Sequence, residues 1–170
     1  MRHIIVDGYN VIRADPRLQS FERVSLEHAR EVLVKTLASS PRLANDQLTV
    51  VFDGGRGSRP HIHSERLGRV VLVYSAQGQT ADDVIVSQAR SLAGAHRVVV
   101  VSNDVEVRER CRAVGCEVSA AENLLTQLPG ASRPLAQDNE DDVDTTLSTV
   151  KRGNPRRSSR RARRQRDVRF

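Results

Sequence analysis

Two spacings of apolar residues divide the chain. Ile4-Ile5-Val6, Leu48-Thr49-Val50-Val51-Phe52, Val70-Val71-Leu72-Val73-Tyr74, Arg97-Val98-Val99-Val100-Val101 and Cys116-Glu117-Val118 are short runs rich in β-branched residues. Such runs predict strands, and near-continuous apolarity suits parallel strands covered on both faces. Elsewhere the apolar spacing lengthens to three and four. Leu26, Ala29, Val32, Leu33 and Leu37 predict an amphipathic helix of about four turns, N-capped by Ser25 and followed by Pro41. Thr80 to Ala93 predicts a second helix with Ala81, Val84, Ile85, Ala89 and Leu92 inward, and Thr80 with Asp83 has capping-box spacing. A third helix follows Asp104 and carries Val107, Cys111 and Val114 towards Gly115. Ser119-x-x-Glu122 reads as another capping box, opening a last helix through Leu124, Leu125 and Leu128.

Two stretches depart from this alternation. Arg13 to Val24 carries Pro16 and scattered charges and predicts a loop or a short irregular helix, and Arg56 to Arg66 predicts a basic loop. The order is strand, helix, strand, loop, strand, helix, strand, helix, strand, helix. It predicts an α/β fold, an open sheet of about five mostly parallel strands flanked by helices with right-handed crossovers. Apolar periodicity stops after Pro129-Gly130. The expected organisation is one domain over residues 1–130 and a disordered acidic-then-arginine-rich tail over residues 131–170.

Three predicted strands end in carboxylates. Asp7 closes the first, Asp53 the second, and Ser102-Asn103-Asp104 follows the fourth, while Asp82-Asp83 opens the second helix. In open parallel sheets the ends of the strands face a crevice, so these groups are expected along one edge. Carboxylates gathered there repel one another unless a cation offsets them, and Mg2+ or Mn2+ suits an all-oxygen set. Each residue also has a plain structural reading. Asp104 reads equally as a helix N-cap, Asp83 as the third residue of a capping box, Asp53 before Gly54-Gly55 as a turn former, and Asn10 as part of an Asx turn. Asp7 is harder to explain that way, because Asp7-Gly8-x-Asn10 after a buried strand offers no obvious cap.

Length and composition bound the alternatives. The 170 residues suffice for one domain with a sizeable core. With no long apolar run and no leader-like start, the expectation is a cytoplasmic protein without a membrane partner. Cys111 and Cys116 fit neither a zinc nor a redox spacing and are expected to be reduced packing residues. No Gly-x-Gly-x-x-Gly or phosphate-binding loop follows the first strand, which disfavours a doubly wound nucleotide-binding domain. The net charge of +6 is unevenly spread: residues 1–130 carry 16 Lys and Arg against 15 Asp and Glu, residues 131–150 carry 1 against 5, and residues 151–170 carry 10 against 1. Any electrostatic attraction for nucleic acid therefore belongs to the tail and to local patches.

Asp7-Gly8-Tyr9-Asn10-Val11-Ile12, Val50-Val51-Phe52-Asp53, Thr80-Ala81-Asp82 and Ser102-Asn103-Asp104 together resemble the successive motifs of the NYN family of PIN-like ribonucleases, in its bacterial YacP-like branch. The likeness spans residues 2 to 126. It implies a PIN-like fold, a Mg2+ or Mn2+ site and endonucleolytic cleavage of RNA, with some relatives acting on messenger RNA at the ribosome. By that resemblance Asp7, Asp82 and Asp104 are expected metal ligands, with Asn10 and Asp53 in or near the site. Thr80 and Ser102 would steady the carboxylates, with Asn103 and Asp83 around them. The rival expectation is a non-catalytic RNA- or ribosome-binding protein on the same fold.

Basic segments supply candidate substrate contacts. Arg56, Arg59 and Arg66, with His61 and His63, follow Asp53 and are expected close to the metal edge, as phosphate contacts or simply as a solvated loop. Arg156, Arg157, Arg160, Arg161, Arg163 and Arg164 lie in the tail, where arginine suits bidentate phosphate contact and salt-sensitive, sequence-indifferent RNA binding. The acidic stretch Asp138 to Asp144 is either solvated or folded back on this tail.

Overall fold

The structure is a computed structural model and describes residues 1–54 and 59–129. Strand β1, Arg2–Asp7, runs straight into helix α1, Gly8–Ala14; α2, Pro16–Val24, and α3, Leu26–Ser39, follow. A 3-10 turn at Pro41–Leu43 leads to β2, Gln47–Phe52, and then to the hairpin of β3, His63–Leu67, and β4, Val70–Tyr74. The remainder alternates: α4, Ala81–Ala93; β5, Arg97–Val101; α5, Val105–Ala113; β6, Glu117–Ser119; α6, Ala121–Leu125. The strands form one sheet in the order β3-β4-β2-β1-β5-β6, parallel throughout except for β3 against β4.

Helices cover both faces of the sheet, and strand side chains alternate between two cores. Ile4, Val6, Val50, Phe52, Leu72 and Val101 pack with Leu33, Val34 and Leu37 of α3 and Leu124 of α6. Ile5, Val51, Val73 and Val100 point the other way, towards Ile85 and Ala89 of α4 and Val107 and Cys111 of α5. Burial on both faces is why the apolar runs are nearly continuous rather than alternating. Cys111 and Cys116 are buried free thiols, and burial pushes the Cys111 thiol up to about 11.

Three predicted elements differ. Arg13 to Val24 is the end of α1 followed directly by α2, because Asp15 accepts a hydrogen bond from the Arg17 backbone N–H at 2.8 Å and Pro16 opens the helix at a position that needs no donor. The predicted 56–66 loop contains β3, a sixth strand whose side chains are mostly exposed, so no apolar period marks it. Its two-residue turn uses Gly68 at φ 61°, a left-handed conformation that hairpin turns favour. Helix α6 is not opened by a Ser119–Glu122 capping box; its N-cap position is Ala120, and the Ala121 N–H is instead satisfied by Asn103 Oδ1 at 2.9 Å. The expected tail over 131–170 lies outside the described residues.

Candidate active site

Asp7 is the last residue of β1 and also the N-cap of α1, so the cap that the sequence did not suggest exists. Strand and helix abut without a loop, which hid the cap. Its carboxylate is 5 % exposed and held on two sides. Asn10 donates its backbone N–H to Oδ1 at 3.2 Å and its Nδ2 to Oδ2 at 2.5 Å, and Ser102 Oγ donates to Oδ2 at 3.1 Å. A carboxylate offers about four lone-pair sites, and these three bonds leave Oδ1 able to accept once more. Ser102, fully buried at the end of β5, also accepts from the Asp104 N–H at 3.1 Å. One hydroxyl thereby ties the carboxylate of one strand to the backbone of the next.

Asp104 caps α5 through Oδ1, which accepts from the Glu106 and Val107 N–H groups at 2.7 and 3.1 Å. The capping reading is correct; the residue is exposed, and Oδ2 takes part in neither capping bond. Asp82 stands in the first turn of α4, half-buried. Burial raises its pKa, and the charges of Asp7 and then Asp104 raise it further; Arg110 opposes them. Carboxylates from three separate elements thus feel one another at a single edge. They do not form a closed cage: among the described residues, no group of three His, Cys, Asp or Glu side chains makes a ready metal shell. An open, all-oxygen and mutually repelling set fits a hard divalent cation such as Mg2+, which keeps several waters, better than a metal held only by protein.

The other predicted residues fall on both sides of this edge. Asp53 follows β2 directly and is exposed. Thr80 caps α4 by accepting from the Asp83 N–H at 3.2 Å, so its hydroxyl serves the helix start, and Asp83 pairs with Arg110 at 3.0 Å, which lowers its pKa. Asn103 turns away to α6, accepting from Ala121 and donating to Glu122 Oε1 at 2.9 Å. It steadies the loop before Asp104 rather than a carboxylate of the site. Arg59 Nη1 lies 3.2 Å from His63 Nδ1, and its carbonyl accepts from Gln77, which holds it at the strand ends. Arg66 does not belong there. It pairs with Val71, three residues along antiparallel β3 from the His63–Tyr74 pair, roughly 10 Å towards the opposite edge. Arg56 and Arg156, Arg157, Arg160, Arg161, Arg163 and Arg164 lie outside the described residues.

A family model for the YacP-like NYN domain matches residues 4–165. The chain belongs to that family. The YacP protein of Bacillus subtilis strain 168 is 28 % identical over 137 residues, covering 78 % of each chain. Crystal structures of Rae1 (YacP) from Bacillus subtilis agree in fold: one has a TM-score of 0.62 at 28 % identity over 74 % of this chain and 72 % of that chain, and a mutant form has 0.61 at 29 % over 73 % and 72 %. The NYN family carries a nuclease-type fold and generally depends on a divalent metal, in keeping with the donor set at the edge of this sheet.

The sequence did not single out a second group at the edge of this NYN domain. Arg30 of α3 is half-buried, with its guanidinium 5.2 Å from the Tyr9 ring centroid, 5.3 Å from Phe52 and 5.7 Å from Tyr74, and with Nη2 donating to the Tyr9 hydroxyl. Tyr9, Phe52 and Tyr74 all stand at or just beyond strand ends. The available signal was position: Arg30 is four residues after Leu26 and three before Leu33, on the flank of the buried stripe.

Proposed function

We propose that this chain is a metal-dependent endoribonuclease that hydrolyses RNA phosphodiester bonds in the cytoplasm. The observation that supports the reading is that Asp82, in the first turn of α4, feels the charges of Asp7 at the end of β1 and of Asp104 at the N-cap of α5. In this reading the three carboxylates hold Mg2+ or Mn2+. Such an ion, when bound, neutralises the phosphate and acidifies a water for attack. Asn10 and Ser102 fix the orientation of Asp7 and keep it from swinging to solvent. Asp53, just after the neighbouring strand β2, flanks the substrate side.

Residues 1–130 act as the nuclease domain. The arginines of residues 151–170 give it a non-specific hold on RNA, messenger RNA or a ribosome-bound message being the class suggested by the branch resemblance. Binding through that segment is expected to fall steeply with salt.

The openness of the carboxylate set favours one second reading, an RNA-binding protein without chemistry. Incubating labelled single-stranded RNA with the protein in Mn2+, in Mg2+ and in chelator separates them. Metal-dependent cuts within the strand support the nuclease; binding with no cuts in any metal supports the rival.

A further inference from the structure

Beside the carboxylate edge, α3 and the β3–β4 hairpin enclose a cleft of about 500 Å³. Its floor is Val34 and Leu72, and its walls carry Glu27, Arg30, Glu65 and Arg66, with Tyr74 at the end nearest the carboxylates. Acid and base are balanced, since Glu31 and Lys35 on the rim pair with each other at 2.9 Å. A cleft for a run of phosphates would be predominantly basic. This one instead offers an apolar floor and hydrogen-bonding groups of both kinds, with the Tyr74 ring already stacked with Phe52 and with His63, which suits recognition of the edge of a base carrying both donors and acceptors.

We propose that the cleft between α3 and β3–β4 takes one guanine base of the RNA strand. This rests on the nuclease reading. Guanine presents acceptors at O6 and N7 and donors at N1 and N2. Arginine is the matching partner for the first pair and a carboxylate for the second. Arg30 is fitted for the arginine role. Three rings and the Tyr9 hydroxyl hold its guanidinium, and among the described residues no carboxylate pairs with it; its Nε is buried without a partner there, so the Nη groups are the ones that would meet a base. Glu27, exposed on the same helix three residues earlier, supplies the carboxylate, while Glu65 is engaged by the Tyr74 hydroxyl at 3.0 Å. Tyr74 ends β4, two strands from β1, so the base would sit roughly 10 Å from Asp7 across the sheet. One or two nucleotides of an extended strand bridge that span.

The test measures affinity rather than cleavage, so it does not depend on the nuclease reading being right about chemistry. Asp104→Asn protein, full length, is titrated with labelled oligouridines carrying a single central guanine, adenine or cytosine. The expected result is a preference for the guanine oligomer of about ten-fold, lost in Glu27→Gln and in Arg30→Lys. Glu27 is on the surface, so its variant tests the cleft without disturbing the aromatic cluster. Equal affinity for all three oligomers would overturn the proposal. So would a drop in Arg30→Lys that is the same for every base and reduces only the salt dependence, because that marks a phosphate contact.

Discussion

Replacing Gly8 with alanine tests whether the junction of β1 and α1 is as tight as the site requires. A Cβ at Gly8 would lie 2.2 Å from Phe52 Cε1, with Cδ1 at 2.6 Å and Cζ at 2.7 Å. Restoring an ordinary contact of 3.4 Å requires the ring to retreat by about 1.2 Å (3.4 less 2.2). Phe52 is fully buried, with Tyr9 and Tyr74 at 5.2 and 5.9 Å and the Arg30 guanidinium over its ring, so retreat moves those groups too. Overpacking of this kind costs about 1–3 kcal/mol, and the better helix propensity of alanine offsets at most about 1 kcal/mol. The net loss is about 1–2 kcal/mol, a fall in Tm of roughly 3–8 °C for a domain of this size. Urea and thermal unfolding followed by circular dichroism read it directly. In a Phe52→Leu background the cost of Gly8→Ala should shrink, because the clashing ring is gone. An unchanged or higher midpoint in the Phe52 protein, or equal costs in both backgrounds, would show that the Gly8–Phe52 contact does not limit the junction.

Arg69 donates to the carbonyls of Leu37, Ala38, Ser40 and Leu43, closing the C-terminal end of α3, so Arg69→Met should cost about 2–3 kcal/mol in urea unfolding with no change in RNA base preference. Asp82 has a raised pKa in the folded protein, so its ionisation costs stability as pH rises from the unfolded value near 3.8 through the folded one. In metal-free buffer Asp82→Asn should therefore unfold at a higher temperature than wild type at pH 7, with the gap closing below pH 4; Mn2+ should stabilise wild type more than the variant. Asn103→Ala removes the α6 cap and should cost about 1 kcal/mol, whereas Ser102→Ala, which leaves Asp7 held by Asn10 alone, should slow cleavage by about ten-fold or more.

The sheet was legible because its central strands are buried on both faces and β-branched, and because α3, α4 and α5 start with side-chain caps. Strand β3 was not, since an exposed edge strand such as His63-Ser64-Glu65-Arg66-Leu67 carries no apolar period. Its direction decided the placement of Arg66: without the antiparallel register, that arginine reads as part of the site. Short helices α1 and α2 were blurred because two caps, Asp7 and Asp15, fall within nine residues and the first doubles as a strand end. Candidate ligands could be gathered from strand ends alone, as the positions of Asp7 and Asp104 illustrate. What each neighbour does could not. Ser102 and Asn103 are adjacent in sequence, yet one binds Asp7 and the other turns to α6, a choice made by the alternation of side chains where β5 ends. The Arg30 cluster assembles from four segments, and no local pattern contains it.

In the proposed function the carboxylates of Asp7, Asp82 and Asp104 act together on a metal ion to cut RNA. Its most direct test is the cleavage rate of labelled single-stranded RNA in Mn2+ for wild type, Asp7→Asn and Asp104→Asn. Asparagine keeps the capping oxygen at both helices. At Asp7 its amide nitrogen also replaces the oxygen that accepts from Asn10 and Ser102, so the thermal unfolding midpoint of each variant is read beside its cleavage rate. Wild type is expected to cut internally only with metal, and each variant to lose at least about 100-fold of that rate. Cleavage undiminished in both variants would contradict it.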